Sequence, residues 1–235
     1  MSRASSLACL AAGAMLGFGG MAAQAATVTF TQLAGVTGGS PAATAVFRAD
    51  LSGVGLGQIA SIVIQDSNSG IGGAGGQFSG FDLDAVVIST VLITDAADIA
   101  LLTPAAVLDI AGSILVAGTQ RAPADPALFG TSGGQVDNAV ATLTAFDGDS
   151  IAGPGADGFV SLGDGGRLSI NLVAPLPVST PLYLYIGEVG DNGEVADGTV
   201  TLSSDPVRVS EPVSLALLGI GIAGLAAVRR RRPTA

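Results

Sequence analysis

The chain has no histidine, no tryptophan and no lysine, and its one cysteine is Cys9. The missing histidine excludes Ser-His-Asp and Cys-His catalysis and any imidazole metal ligand. Aromatic residues make up 4% and charged residues 12%, about half of the usual quarter. So few aromatics leave little from which to build sugar-stacking subsites. Nine arginines face 19 acidic residues, for a formal charge of −10. Binding to nucleic acid through phosphate neutralisation is therefore excluded. Apolar material, by contrast, is plentiful. Hydrophobic residues are 49% of 235, which rules out a disordered tail and can fill the core of one large domain.

The first 25 residues have the three parts of a secretory signal peptide. They are Arg3, the apolar run LACLAAGAMLGF from Leu7 to Phe18, and the small-x-small pattern Ala23-Gln24-Ala25. Cleavage there gives a mature chain starting at Ala26. An uncleaved anchor is the alternative, disfavoured by the short run and by a cleavage pattern at the expected distance. Ser6-Leu7-Ala8-Cys9 could be read as a lipoprotein box, but too few apolar residues precede it to insert in a membrane. With Cys9 in the leader, disulfides, thiolate nucleophiles and cysteine metal sites leave the mature protein together.

At the other end, Glu211-Pro212 precedes VSLALLGIGIAGLAAV, sixteen uncharged residues from Val213 to Val228, and then Arg229, Arg230, Arg231 and Arg232. As a helix the sixteen residues span about 24 Å, short of the ~30 Å hydrocarbon core. The arginines would hold the C-terminus in the cytoplasm. The segment resembles the PEP-CTERM sorting signal, which some collections label the ice-binding protein C-terminal domain. The likeness covers residues 209–235, with Ser210 where the family usually has the first proline of Pro-Glu-Pro. It implies a protein of an exopolysaccharide-producing Gram-negative bacterium, processed by the membrane enzyme exosortase. A plain tail anchor is the competing reading.

Between these ends, residues 26–208 hold four arginines and eighteen acids up to Val209, a net charge of −14. Sixteen of the acids are Asp, a turn former, and two are Glu, a helix former. Glycine and proline together number 46 in the whole chain. Thr27-Val28-Thr29-Phe30-Thr31 alternates with period two, as do residues 138–146, 167–173 and 181–189. Residues 61–65 and 85–93 read as more buried strands. Turn clusters such as Asp147-Gly148-Asp149 and Gly163-Asp164-Gly165-Gly166 separate them. The expected fold is all-β, an antiparallel sandwich or jelly roll between a signal peptide and a transmembrane sorting helix. Residues 96–108 could form a short helix interrupted at Pro104, and its apolar extension to Ala117 is expected in the core. The glycine-rich stretch 67–80 reads as a mobile excursion between strands. Phe81-Asp82-Leu83-Asp84-Ala85-Val86, and Val160-Ser161-Leu162-Gly163-Asp164-Gly165-Gly166 leading to residues 182–190, resemble stretches that recur in β-rich ectodomains carrying this sorting signal.

The acidic turns invite a calcium reading, since Asp and Asn oxygens along a turn suit a hard cation. The candidates are Asp147, Asp149 and Asp157, and Asp191, Asn192 and Glu194. Neither set fits an EF-hand. Residues 152–160 nearly match one calcium-binding nonapeptide, but such repeats act in tandem. Asp side chains closing their own turns explain each cluster more simply. A glycosidase would need paired carboxylates, one in an apolar pocket, and the sparse aromatics oppose that. Tyr183 and Tyr185 share a strand face, as a small platform or a core pair. Thr27, Thr29 and Thr31 would share another, which is ordinary strand composition. No phosphate loop or dinucleotide fingerprint is present. The sequence therefore reads as a non-enzymatic, exported protein, first anchored in the inner membrane and then displayed at the surface or released. Its expected role is structural or adhesive, in the envelope or exopolysaccharide matrix. The alternative is a calcium-dependent carbohydrate-binding module, and an Asp-based hydrolase is remote. No cofactor is expected other than a structural Ca²⁺.

Overall fold

The computed structural model describes residues 24–39, 42–71, 74–148, 158–178, 181–190, 193 and 200–208. Twelve strands run through them: β1 (Ala25–Val28), β2 (Thr31–Gln32), β3 (Thr44–Asp50), β4 (Gln58–Gln65), β5 (Asp82–Ser89) and β6 (Leu108–Val116). They continue as β7 (Thr131–Ser132), β8 (Gln135–Val136), β9 (Val160–Ser161), β10 (Arg167–Pro177), β11 (Tyr183–Val189) and β12 (Val200–Ser203). The described fold is all-β and its ladders are antiparallel. One five-stranded sheet has the order β1-β12-β4-β10-β6, the other β2-β3-β11-β5-β9, with β7 and β8 as a separate hairpin. Among the described residues no helix is long and apolar enough to cross a membrane. The sorting helix expected at 213–228 lies outside them, as does Ala23 of the cleavage pattern.

Alternation explains the core. On β10, Leu168, Ile170 and Leu172 enter the same apolar cluster as Ile62 and Ile64 of β4 and Val200 and Leu202 of β12. The second sheet adds Phe47 of β3, Leu83, Val86 and Ile88 of β5, and Leu184 and Ile186 of β11. A second cluster lies on the other face of β3, β5 and β11, where Val46, Ala85, Val87 and Tyr185 meet Leu33, Ile93, Ala96 and Phe146. Residues 90–102, including the 3-10 turn Ala96–Leu101, supply part of that cover. Its start is capped by Asp95, which accepts the Ala97 N–H at 2.9 Å. With both faces covered, β5 is buried along its whole length.

Several expectations are corrected. The alternating run 27–31 is not one strand: β1 and β2 lie in different sheets, so Thr27 and Thr31 do not share a face. Residues 138–146 bury Ala141, Leu143 and Phe146, as their alternation suggests, yet form no ladder. Asp137 folds them into a turn instead, its side chain accepting the Ala139 N–H and its carbonyl the Val140 and Ala141 N–H groups. The helix expected at 96–108 is limited to the 3-10 turn. Its apolar extension is β6, the edge strand beyond β10, which enters the core through Ile110 and Leu115. There Asp109 is exposed, and it accepts the Gly112 N–H across an irregularity in the β6–β10 register. The far end of the glycine-rich stretch is fastened, Gly76 donating to the Arg121 carbonyl at 2.8 Å.

Candidate functional site

The two stretches carrying Phe81–Val86 and Val160–Gly166 pack side by side. Asp82 pairs with Ser161 and Leu83 with Val160, and Leu162 donates to the Phe81 carbonyl. Residues 183–189 form β11 on the other side of β5. All three familiar segments thus make one continuous patch of sheet. Asp66 fastens its end. One carboxylate oxygen accepts the Phe81 N–H, and the other accepts those of Asn68 and Gly165, at 2.7–3.0 Å. Nearby, the Arg121 guanidinium meets Asp164 at 3.2 Å.

At the centre of this patch β5 bulges. Ile186 and Glu188 of β11, two residues apart, face Val86 and Leu83 of β5, three apart. The extra residue turns the Val86 N–H away from β11, and it bonds to the Leu143 carbonyl at 3.0 Å. Asp84, two residues before Val86 and inside the bulge, is 1% exposed. Its Oδ2 accepts the Thr44 hydroxyl at 2.5 Å and the Gly148 N–H at 3.0 Å. The Asp147 carboxyl lies against it as well. Burial pushes the Asp84 carboxyl up to about 7, with the neighbouring Asp147 charge adding to it, against the opposing bonds from Thr44 and Gly148. Gly187 makes the arrangement possible. A Cβ there would stand 2.8 Å from the Thr44 methyl and 3.1 Å from the Asp84 Cβ.

Of the six calcium candidates, Asp147 is placed, in contact with Asp84; Asp149, Asp157, Asp191, Asn192 and Glu194 lie outside the described residues. Among the described residues, no three acidic side chains are grouped to hold a metal ion. Asp50, Asp66, Asp95 and Asp137 each accept the N–H two residues on, the turn chemistry their type favours. Of the residues tied to signal cleavage and sorting, Ala25 opens β1 opposite Ser203, while Glu211, Pro212 and Arg229, Arg230, Arg231 and Arg232 lie outside the described residues. Tyr185 is a core residue: its hydroxyl donates to the Val91 carbonyl and accepts the Ile93 N–H. Its ring lies 6.4 Å from that of Tyr183.

Sequence reasoning missed two groupings. Asp84 and Thr44 are far from Asp147 in the chain, and no local spacing announces their meeting. Phe78, Phe129 and Phe159 also gather, with ring centroids 4.6–6.0 Å apart. Beside them is an open groove of about 320 Å³ lined by Gln77, Asp125, Phe129 and Thr131, among others. A second groove of similar volume, between residues 104–107 and 173–176, is apolar, with Val107 and Val173 about two-thirds exposed. No known protein family, curated protein or solved structure matches the chain.

Proposed function

We propose that the chain is an exported protein whose β-sandwich is presented at the cell surface or in the exopolysaccharide matrix by a PEP-CTERM-like tail, and that its role there is structural or adhesive. The observation that carries this reading is the order of the tail: Glu211-Pro212, sixteen uncharged residues, then four arginines. Four guanidiniums do not cross a bilayer, so they fix the tail's orientation. The sandwich reading is supported by the apolar cluster common to both sheets and by the chain's habit of changing sheet between successive strands. Display is supported by the closure of the domain. Ala26, Thr27 and Val28, at the start of the mature chain, pair with Leu202, Thr201 and Val200, so the first strand is fastened to the strand that leads into the tail. A non-enzymatic role is supported by the sealing of Asp84, an acid with a raised pKa that substrate cannot approach. The test replaces Glu211-Pro212 by Ala-Ala in the host and follows membrane, surface and medium fractions by immunoblot. An unprocessed form should accumulate in the membrane. Processing and release like the wild type would leave an ordinary anchor.

The phenylalanine cluster favours a second reading, saccharide binding in the groove beside it. Gln77, Asp125 and Thr131 offer polar groups next to the Phe129 ring. A host polysaccharide should then raise the melting temperature of the wild type and not of Phe129→Ala. Equal shifts for both proteins would remove this reading.

A further inference from the structure

We propose that Asp84 and Asp147 hold one buried proton between them, and that its loss releases the 143–148 segment from the bulge of β5. The inference starts from oxygen atoms. The Oδ2 of Asp84 is fully used by Thr44 and Gly148, and its Oδ1 accepts no N–H or hydroxyl. The further group in contact with Asp84 is a second carboxyl, that of Asp147. Two carboxylates touching out of water cannot both be ionised unless a cation joins them; otherwise one keeps its proton and donates it to the other. Among the described residues, the surrounding elements bring no such cation. From β3 come Thr44 and Arg48, and the Arg48 guanidinium donates to the Ile93 carbonyl at 2.8 Å. From β11 come Gly187, whose missing side chain leaves room for Asp84, and Tyr185, bonded to residues 91 and 93. Glu188 is paired with Ala45 and Leu83, both members of the inner cluster, and so belongs to the opposite face. On β5 itself Asp82 takes the Ser161 hydroxyl.

The partners sit on unequal supports. Asp84 belongs to a strand laddered on both sides, whereas Asp147 belongs to a segment that forms no ladder. Its fastenings include Val86 to the Leu143 carbonyl, Gly148 to Asp84, Gly39 to the Asp147 carbonyl, and the packing of Phe146. When the shared proton leaves, repulsion falls on the weaker support. The segment lifts, Phe146 leaves its cluster, and Gly39 and Thr44 lose their neighbour. The sheets stay in place, because no ladder passes through residues 143–148. The geometry amounts to a proton-operated latch, closed in mildly acidic surroundings and opening above neutrality.

Amide hydrogen exchange on the full chain between pH 5.5 and 8.5, corrected for intrinsic rates, tests this. Protection of Gly39, Val86 and Gly148 should fall at least tenfold between pH 6.5 and 8.5, while amides of β4 and β10 stay constant. Asp84→Asn and, independently, Asp147→Asn should flatten the pH response, since an amide donates without titrating. A pH-independent wild type would overturn the latch. So would full restoration of protection at pH 8.5 by millimolar Ca²⁺, which would make the link a cation instead of a proton.

Discussion

At the residue scale, the Asp84 carboxyl makes stability fall as pH rises. The folded chain holds the Asp84 proton up to about pH 7, whereas an unfolded chain releases it near 3.8. Between those values the unfolded state binds fewer protons than the folded one, so stability falls as pH rises. The penalty is absent below about 4, grows up to 7 and is complete above it. Its ceiling is on the order of 4 kcal/mol, and local opening of the latch will hold it lower. Most buried or bonded carboxylates act in the opposite sense, as exposed Asp50 does mildly through the Ser52 bonds that lower its pKa. Urea denaturation of the wild type should therefore show stability dropping from pH 4.5 to 7.5. Asp84→Asn should lose most of that slope and be the more stable protein at pH 8 by roughly 1–3 kcal/mol. The same slope in both proteins would move the responsible group elsewhere.

At the element scale, β5 and its bulge depend on a glycine in the neighbouring strand. Glycine within a strand ordinarily weakens it, and Gly187 stays because any side chain would strike Thr44, Phe146 and Asp84. Gly187→Val should overpack the second cluster and cost about 1–3 kcal/mol, read as a lower denaturation midpoint. A neutral substitution would mean that the 143–148 segment yields freely. The same elements show what could be read from the chain. β10 and β11 were legible because apolar inward residues alternate with smaller or polar outward ones, Leu168 with Ser169, Ile170 with Asn171. β5 was placed too late, at Ala85, because the acids Asp82 and Asp84 break the apolar run at its start. Their burial depends on Ser161 and Thr44, which arrive from other strands. β3 went unread although Ala45, Phe47 and Ala49 alternate inward around Arg48, since a charge in the middle masked the pattern. Residues 138–146 alternate as well as any strand, and there the Asp137 turn took over the backbone. Periodicity reports which side chains go in; it does not report what the backbone bonds to. Of the acids marked for calcium, Asp147 was visible as a turn residue, but its contact with Asp84 is a product of topology alone.

At the scale of the whole molecule, that topology is dominated by crossings. Among the ten strands of the two sheets, the β2–β3 connection alone stays within one sheet. Such pairings join residues far apart in sequence, as β1 with β12, and all-β chains of this kind fold slowly because loop entropy is lost before contacts repay it. The β1–β12 closure has a mechanical side too. Ala25 lies opposite Ser203 at one end of that ladder, so a pull on residues 24 and 204 loads it one pair at a time, like a zip. Force spectroscopy with handles at residues 24 and 204 should find first rupture at low force, followed by loss of β1 alone. Rupture as strong as that along β10 would contradict this. A load that enters only through the C-terminal flank meets a different resistance. It first meets the bonds of Asp205 to Ser61 and of Val207 to Asn171, then runs along β12, which is held between β1 and β4, and must slide two ladders at once. A domain tethered by its tail is thus fastened in its stiff direction, and the zip opens only for a grip on both ends.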